Sequence, residues 1–103
     1  MARLVEEGFV ILDRNWRCEA GEIDVVARDG TTLVVCEVKT RRPGGQVGAL
    51  EAVTSGKAER LRTLADCWLR EHPVRPTAVR IDVVSVSQPA RGAAVVDHVR
   101  GAV

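Results

Sequence analysis

Glu22, Asp24, Glu37 and Lys39 fall within one short stretch, "GEIDVVARDGTTLVVCEVK" (21–39). The stretch reads as a β-hairpin, because apolar and polar residues alternate on both sides of a turn at Asp29-Gly30. Side chains alternate along a strand, so Glu22, Asp24 and Val26 share one face of the first arm. Val35, Glu37 and Lys39 share one face of the second. A four-residue loop, Asp29 to Thr32, sets Asp24 opposite Glu37 and Glu22 opposite Lys39; a two-residue Asp29-Gly30 turn sets Glu22 against Glu37 instead. Either register gathers the charges. Facing carboxylates about 5 Å apart repel each other, and a bound cation would relieve that. Mg²⁺ (or Mn²⁺) suits such a place: Mg²⁺ prefers oxygen ligands, keeps several waters, and is held by one or two carboxylates together with a substrate phosphate. Asp24, Glu37 and Glu22 are the candidate ligands. Lys39 is the candidate catalytic amine, placed to help deprotonate a water or to neutralise charge developing on phosphorus. The chemistry is phosphodiester hydrolysis. The plain alternative is a solvated hairpin face carrying ordinary cross-strand Glu–Lys pairs.

Several elements must position these residues. Residues 2–7 form the last turns of a helix ending at Gly8, and "FVILDRNWR" (9–17) is a strand with a turn near 18–21. The hairpin strands run over about 22–28 and 33–39. "TRRPGGQVGALEAV" follows, with no strand or helix pattern. A helix is expected from Thr54, its cap, to His72, with Ala58, Leu61, Leu64, Ala65, Trp68 and Leu69 as one buried stripe; Pro73 and Pro76 stop it. Strands at 78–87 and 93–99 complete the order α-β-β-β-α-β-β. The helix crossover puts the fourth strand parallel to the third, within one domain spanning 1–103.

Composition sets the class. The chain has 103 residues, 46% hydrophobic and 28% charged, the balance of a folded globular domain. No apolar run reaches the roughly 20 residues a membrane helix needs, and the N-terminus lacks a signal peptide's apolar segment, so a cytoplasmic location is expected. Cys18, Cys36 and Cys67 are scattered and odd in number, which favours reduced thiols over disulfides or a zinc site. Net charge is only +1, yet all but two of the fifteen basic residues are Arg, the side chain best matched to phosphate.

The basic residues nearest the hairpin are the expected nucleic-acid contacts. Arg41 and Arg42 leave the strand just past Lys39, and Gln46 lies in the loop that follows. Lys57 sits in the first turn of the helix, where the dipole favours an anion. Arg17, next to Trp16, joins this set. Trp68 belongs to the buried stripe, Asp82 is expected to pair with a nearby Arg, and nothing places His72 or His98 at the site.

Asp24 followed by Glu37-Val38-Lys39 resembles the D…ExK signature of restriction-endonuclease-like nucleases, the PD-(D/E)XK superfamily. The successive blocks "ILDRNWRCEAGEIDVVARDG", "LVVCEVKTRR", "AVTSGKAERL" and "RIDVVSV" resemble the YraN-like family of small bacterial proteins over nearly the whole chain, from about Gly8 onward. The resemblance implies an α/β restriction-endonuclease-like core with a mixed central sheet flanked by helices, related to archaeal Holliday-junction resolvases. It implies nucleic-acid binding and maps the catalytic positions onto Asp24, Glu37 and Lys39. Family members usually carry a longer first helix with an acidic residue; here Glu6 and Glu7 are the nearest counterparts, and solvated helix-end charge is their simpler role. The expected activity is a Mg²⁺-dependent endonuclease acting on structured or branched DNA, working as a homodimer. The rivals are a non-cleaving binding module of the same fold and a structural protein that dimerises through a sheet edge or the helix.

Overall fold

A computed structural model describes residues 2–41, 55–87 and 91–101 of the chain. The elements are α1 (Ala2–Glu6), β1 (Val10–Cys18), β2 (Gly21–Asp29), β3 (Thr32–Arg41), α2 (Ser55–Glu71), β4 (Ala78–Ser87) and β5 (Val95–Val99). The strands form one mixed sheet in the order β1-β2-β3-β4-β5. β3 and β4 are parallel, from Thr32↔Ala78 to Arg41↔Ser87, and every other pair is antiparallel. A parallel neighbour cannot be reached by a tight turn. α2 supplies the crossover, as its position between the two strands anticipates. Arg42, Gln46 and the Thr54 cap lie outside the described residues.

α2 buries the stripe read from its periodicity. Ala58, Leu61, Leu64, Ala65 and Trp68 pack on Ile23, Val26, Leu33, Val35 and Ile81, while Leu69 is only partly covered. Each fully buried large side chain contributes about 1.5–3 kcal/mol, so this layer anchors the sheet. The opposite face is covered by α1. Its end is a glycine cap: Phe9 N–H donates to Leu4 O (3.0 Å) and Gly8 N–H to Val5 O (3.0 Å), with Gly8 at φ 91. The cap folds Leu4 and Phe9 together over Val25, Ala27, Val34, Cys36 and Val84. Among the described residues no helix is long and apolar enough to cross a membrane.

The hairpin turn lies one residue later than Asp29-Gly30. Asp29 pairs with Thr32, leaving Gly30 and Thr31 as the loop, with Gly30 at φ 62. Glycine with positive φ at the first loop position is the arrangement that matches strand twist. The resulting register is nonetheless the one that directs Asp24 toward Glu37.

Candidate active site

The β2–β3 ladder runs from Asp29↔Thr32 to Val25↔Cys36 and stops there. The next couple in that register is Asp24 and Glu37. Instead of a continued backbone ladder, Val38 N–H donates to Asp24 Oδ2 at 2.8 Å. A carboxylate thus takes the place of a strand carbonyl, and the two strands part beside Glu37.

Glu37 is nearly buried, its side chain 11% exposed, and its two oxygens have different fates. Oε1 accepts from Lys39 Nζ at 3.0 Å and from Lys57 Nζ, which descends from the first turn of α2. Oε2 is buried and, among the described residues, has no hydrogen-bond partner. Burial pulls the Lys57 ammonium below the usual lysine range; the bond to Glu37 opposes this, and the neighbouring Lys39 adds to it. Two ammoniums therefore meet the Glu37 carboxylate, and Asp24 lines the same cleft. Bare facing carboxylates were the expectation, but lysine charge already offsets Glu37. An open cleft of about 260 Å³ lies against them, lined by Gly21, Glu22, Asp24, Cys36, Glu37, Arg60 and Leu61.

The remaining expected site residues divide. Glu22 lines the cleft, but its carboxylate is held by Arg17 at 3.0 Å, and that arginine is 80% exposed. The expected ligand and the expected phosphate contact are thus each other's partner. Arg41 closes β3 two residues beyond Lys39. Lys57 was expected as a phosphate contact, and it reaches the centre of the site through Glu37. Arg60, exposed on the cleft rim, escaped sequence reading, although its spacing from Lys57 (i, i+3) put both on one helix face. Among the described residues, no three or more His, Cys, Asp or Glu side chains gather as a metal cluster. A divalent cation here would have Asp24 and Glu37 as its protein ligands. The unpartnered Oε2 and the all-oxygen donor set fit a hard cation in that role.

A second charged cluster fills the other face of the sheet. His98 Nε2 meets Asp82 Oδ2 at 2.7 Å, while Nδ1 meets Glu7 at 3.0 Å. Arg80 donates from Nε and Nη2 to Asp82 at 2.8 and 3.0 Å, which is the arginine pairing expected of Asp82. Burial alone would raise the Asp82 carboxyl, but Arg80, the Gly101 N–H and His98 outweigh it and hold it below the usual range. Arg100 and His98, with Arg3, hold Glu7 down to about 2, against burial. Solvated helix-end charge is therefore not the role of Glu7, and His98 is far from solitary. Burial, and then Asp82, push the Cys36 thiol up to about 12. His72 also has a place: it stacks on Trp68, with centroids 3.9 Å apart, while Trp68 Nε1 donates to Asp13 Oδ2.

Residues 1–86 match the family model described as uncharacterised protein family UPF0102. A UPF0102 protein of Kineococcus radiotolerans is 62% identical over 100 residues, covering 96% of this chain and 82% of the relative. One from Streptomyces coelicolor is 57% identical over 101 residues, covering 96% and 78%. One from Nocardioides is 56% identical over 98 residues, covering 95% and 79%.

Proposed function

The chain belongs to the uncharacterised protein family UPF0102, the YraN-like group, and on that premise we propose that it is a Mg²⁺- or Mn²⁺-dependent endonuclease of restriction-endonuclease-like fold, hydrolysing phosphodiesters in structured or branched DNA. The observation that carries this reading is Glu37: a nearly buried carboxylate with one oxygen clamped by two ammoniums and the other, among the described residues, without a partner. Burying an unpaired carboxylate oxygen is costly, and a ligand for that atom gives the arrangement a purpose.

Asp24 and Glu37 would hold the cation, which supplies concentrated positive charge beside the scissile phosphate. Lys39, on the same strand as Glu37, would stabilise negative charge as it builds on the phosphate oxygens. Lys57 and Arg60 on α2, with Arg41, Arg42 and Gln46, would bind flanking phosphates and fix the register of the strand. Arg17, at the outer edge, would add a weaker contact. The chemistry balances simply: water adds to phosphorus and gives up a proton, the bond to the leaving deoxyribose oxygen breaks, and that oxygen takes up a proton.

One observation favours a second reading. Glu37 already faces two ammoniums, Asp24 is held by the Val38 N–H, and no third acidic ligand joins them among the described residues. Such a balance suits a non-cleaving module that binds phosphate through Lys57 and Arg60. Labelled linear, flapped and four-way DNAs incubated with Mg²⁺, Mn²⁺ or EDTA decide between the two. Metal-dependent cleavage abolished by Glu37→Gln and Lys39→Met supports the nuclease. Metal-independent binding without cleavage in any arm rejects it in favour of the module.

A further inference from the structure

Asp24 stands where two neighbouring strands turn over. In a regular strand Ile23 and Val25, two residues apart, would share a face. Here Ile23 packs with the α2 core and Val25 with the α1 core on the other side. β1 turns over at the same level. Asp13 bonds Trp68 and Trp16 packs on the α2 core, although an odd separation should send them to opposite faces. Arg14 pairs with Val25 and Trp16 with Ile23, and the couple between them, Asn15 and Asp24, is missing from the ladder. Asn15 has φ 48 and is the only non-glycine residue with positive φ among the described residues.

Without the turnover, Asp24 would follow Val26 by two residues and point with it to the α2 face. With it, Asp24 reaches across the parted strands to Val38 N–H, one residue past Glu37. It is also the one residue shared by two openings. One is lined with Glu37, Arg60 and Leu61, and the other with Arg14, Asn15, Val25 and Val38. The left-handed conformation is closed to most L-residues by contact of Cβ with the following carbonyl; Asn and Gly adopt it most readily. Asn15 is exposed, so its contribution runs through its backbone and not through burial.

We propose that Asn15 is a positioning residue: its left-handed backbone inverts β1, and β2 with it, so that Asp24 leaves the ladder and is fixed on Val38 N–H beside Glu37. That Asp24 then serves as a cation ligand rests on the hydrolase reading; the coupling of Asn15 to Val38 does not.

The test uses the full ¹⁵N-labelled chain in EDTA and reads amide exchange at Val38, with Val35 in the middle of the same strand as internal reference. Asn15→Gly keeps the conformation and should leave the Val38 to Val35 ratio unchanged. Asn15→Val, β-branched and strained at positive φ, should raise it on the order of tenfold, in line with the penalty for a left-handed residue. Asp24→Ala, which removes the acceptor, should raise it similarly, and adding Asn15→Val to Asp24→Ala should change it no further. If Asn15→Val does not fold, Asn15→Ala carries the same expectation with a smaller rise. A folded Val or Ala variant with Val38 exchange unchanged overturns the proposal, as does a Gly variant that behaves like Val. A Mg²⁺ titration of the wild type, followed at the Glu37 and Val38 amides, is read separately. Silence there removes the cation from the site while the Asn15 result stands or falls on its own.

Discussion

Glu37→Gln keeps the size of the side chain and removes one formal charge from beside two ammonium groups. The carboxylate is 11% exposed, Lys39 26% and Lys57 20%, so the cluster is neither fully buried nor freely solvated. Removing one partner of a fully buried pair costs about 3–5 kcal/mol, whereas exposed pairs contribute roughly 0–1. Both lysines are long enough to swing their heads toward water once released. The expected loss is therefore intermediate, about 1–3 kcal/mol in EDTA. For a domain near 100 residues each kcal/mol shifts Tm by about 4–8 °C, so the melt should fall by roughly 4–24 °C. Mg²⁺ should raise the wild-type Tm, since a ligand of the native state stabilises it by mass action, and should raise the variant's by much less. Differential scanning fluorimetry with EDTA, and again with Mg²⁺, reads both. A variant that melts at or above the wild-type temperature without metal would refute the reasoning, because it would mean that facing carboxylates, and not the lysine clamp, dominate the energetics.

Glu7 titrates near 2 in the folded chain against an ordinary value of 4.5, so its contribution is present above about pH 4.5 and is lost as pH falls toward 2. Acid melts of Glu7→Gln should be less stable than wild type near neutrality and should converge with it at low pH; parallel curves would contradict the assignment. Arg60→Ala should weaken DNA binding and flatten the slope of log affinity against log salt by about one unit or less, measured by fluorescence anisotropy, and an unchanged slope would remove Arg60 from the interface. Brief native-state alkylation followed by peptide mass spectrometry should modify the half-buried Cys18 and Cys67 and spare Cys36, which is buried and titrates only near 12. Early modification of Cys36 would show that β3 opens far more readily than its position in the sheet implies.

The order of elements was legible in the sequence because two periods carry it. Alternation marked the hairpin, and the spacing from Ala58 to Trp68 marked the buried face of α2. Local chemistry did the same for Gly8, where positive φ at a helix end needs glycine. The site was legible in part. The hairpin register brought Asp24 toward Glu37, and the D…ExK spacing singled out the same residues together with Lys39.

Tertiary structure alone decided which charges meet. Lys57 reaches Glu37 across twenty positions of sequence, and the distance between a helix turn and a strand has no imprint on either local pattern. The same holds for Glu7 and His98, brought together from opposite ends of the chain. Alternation also misleads wherever a backbone leaves the regular strand region. Where β1 and β2 pass Asn15, at φ 48, Ile23 and Val25 fall on opposite faces, so counting by twos misplaces Asp24. Periodicity is a property of dihedrals repeated along the chain, so the sequence could determine the elements that repeat them. The partners across those elements, and the one position where repetition breaks, depend on packing between distant segments, and only the folded chain contains that.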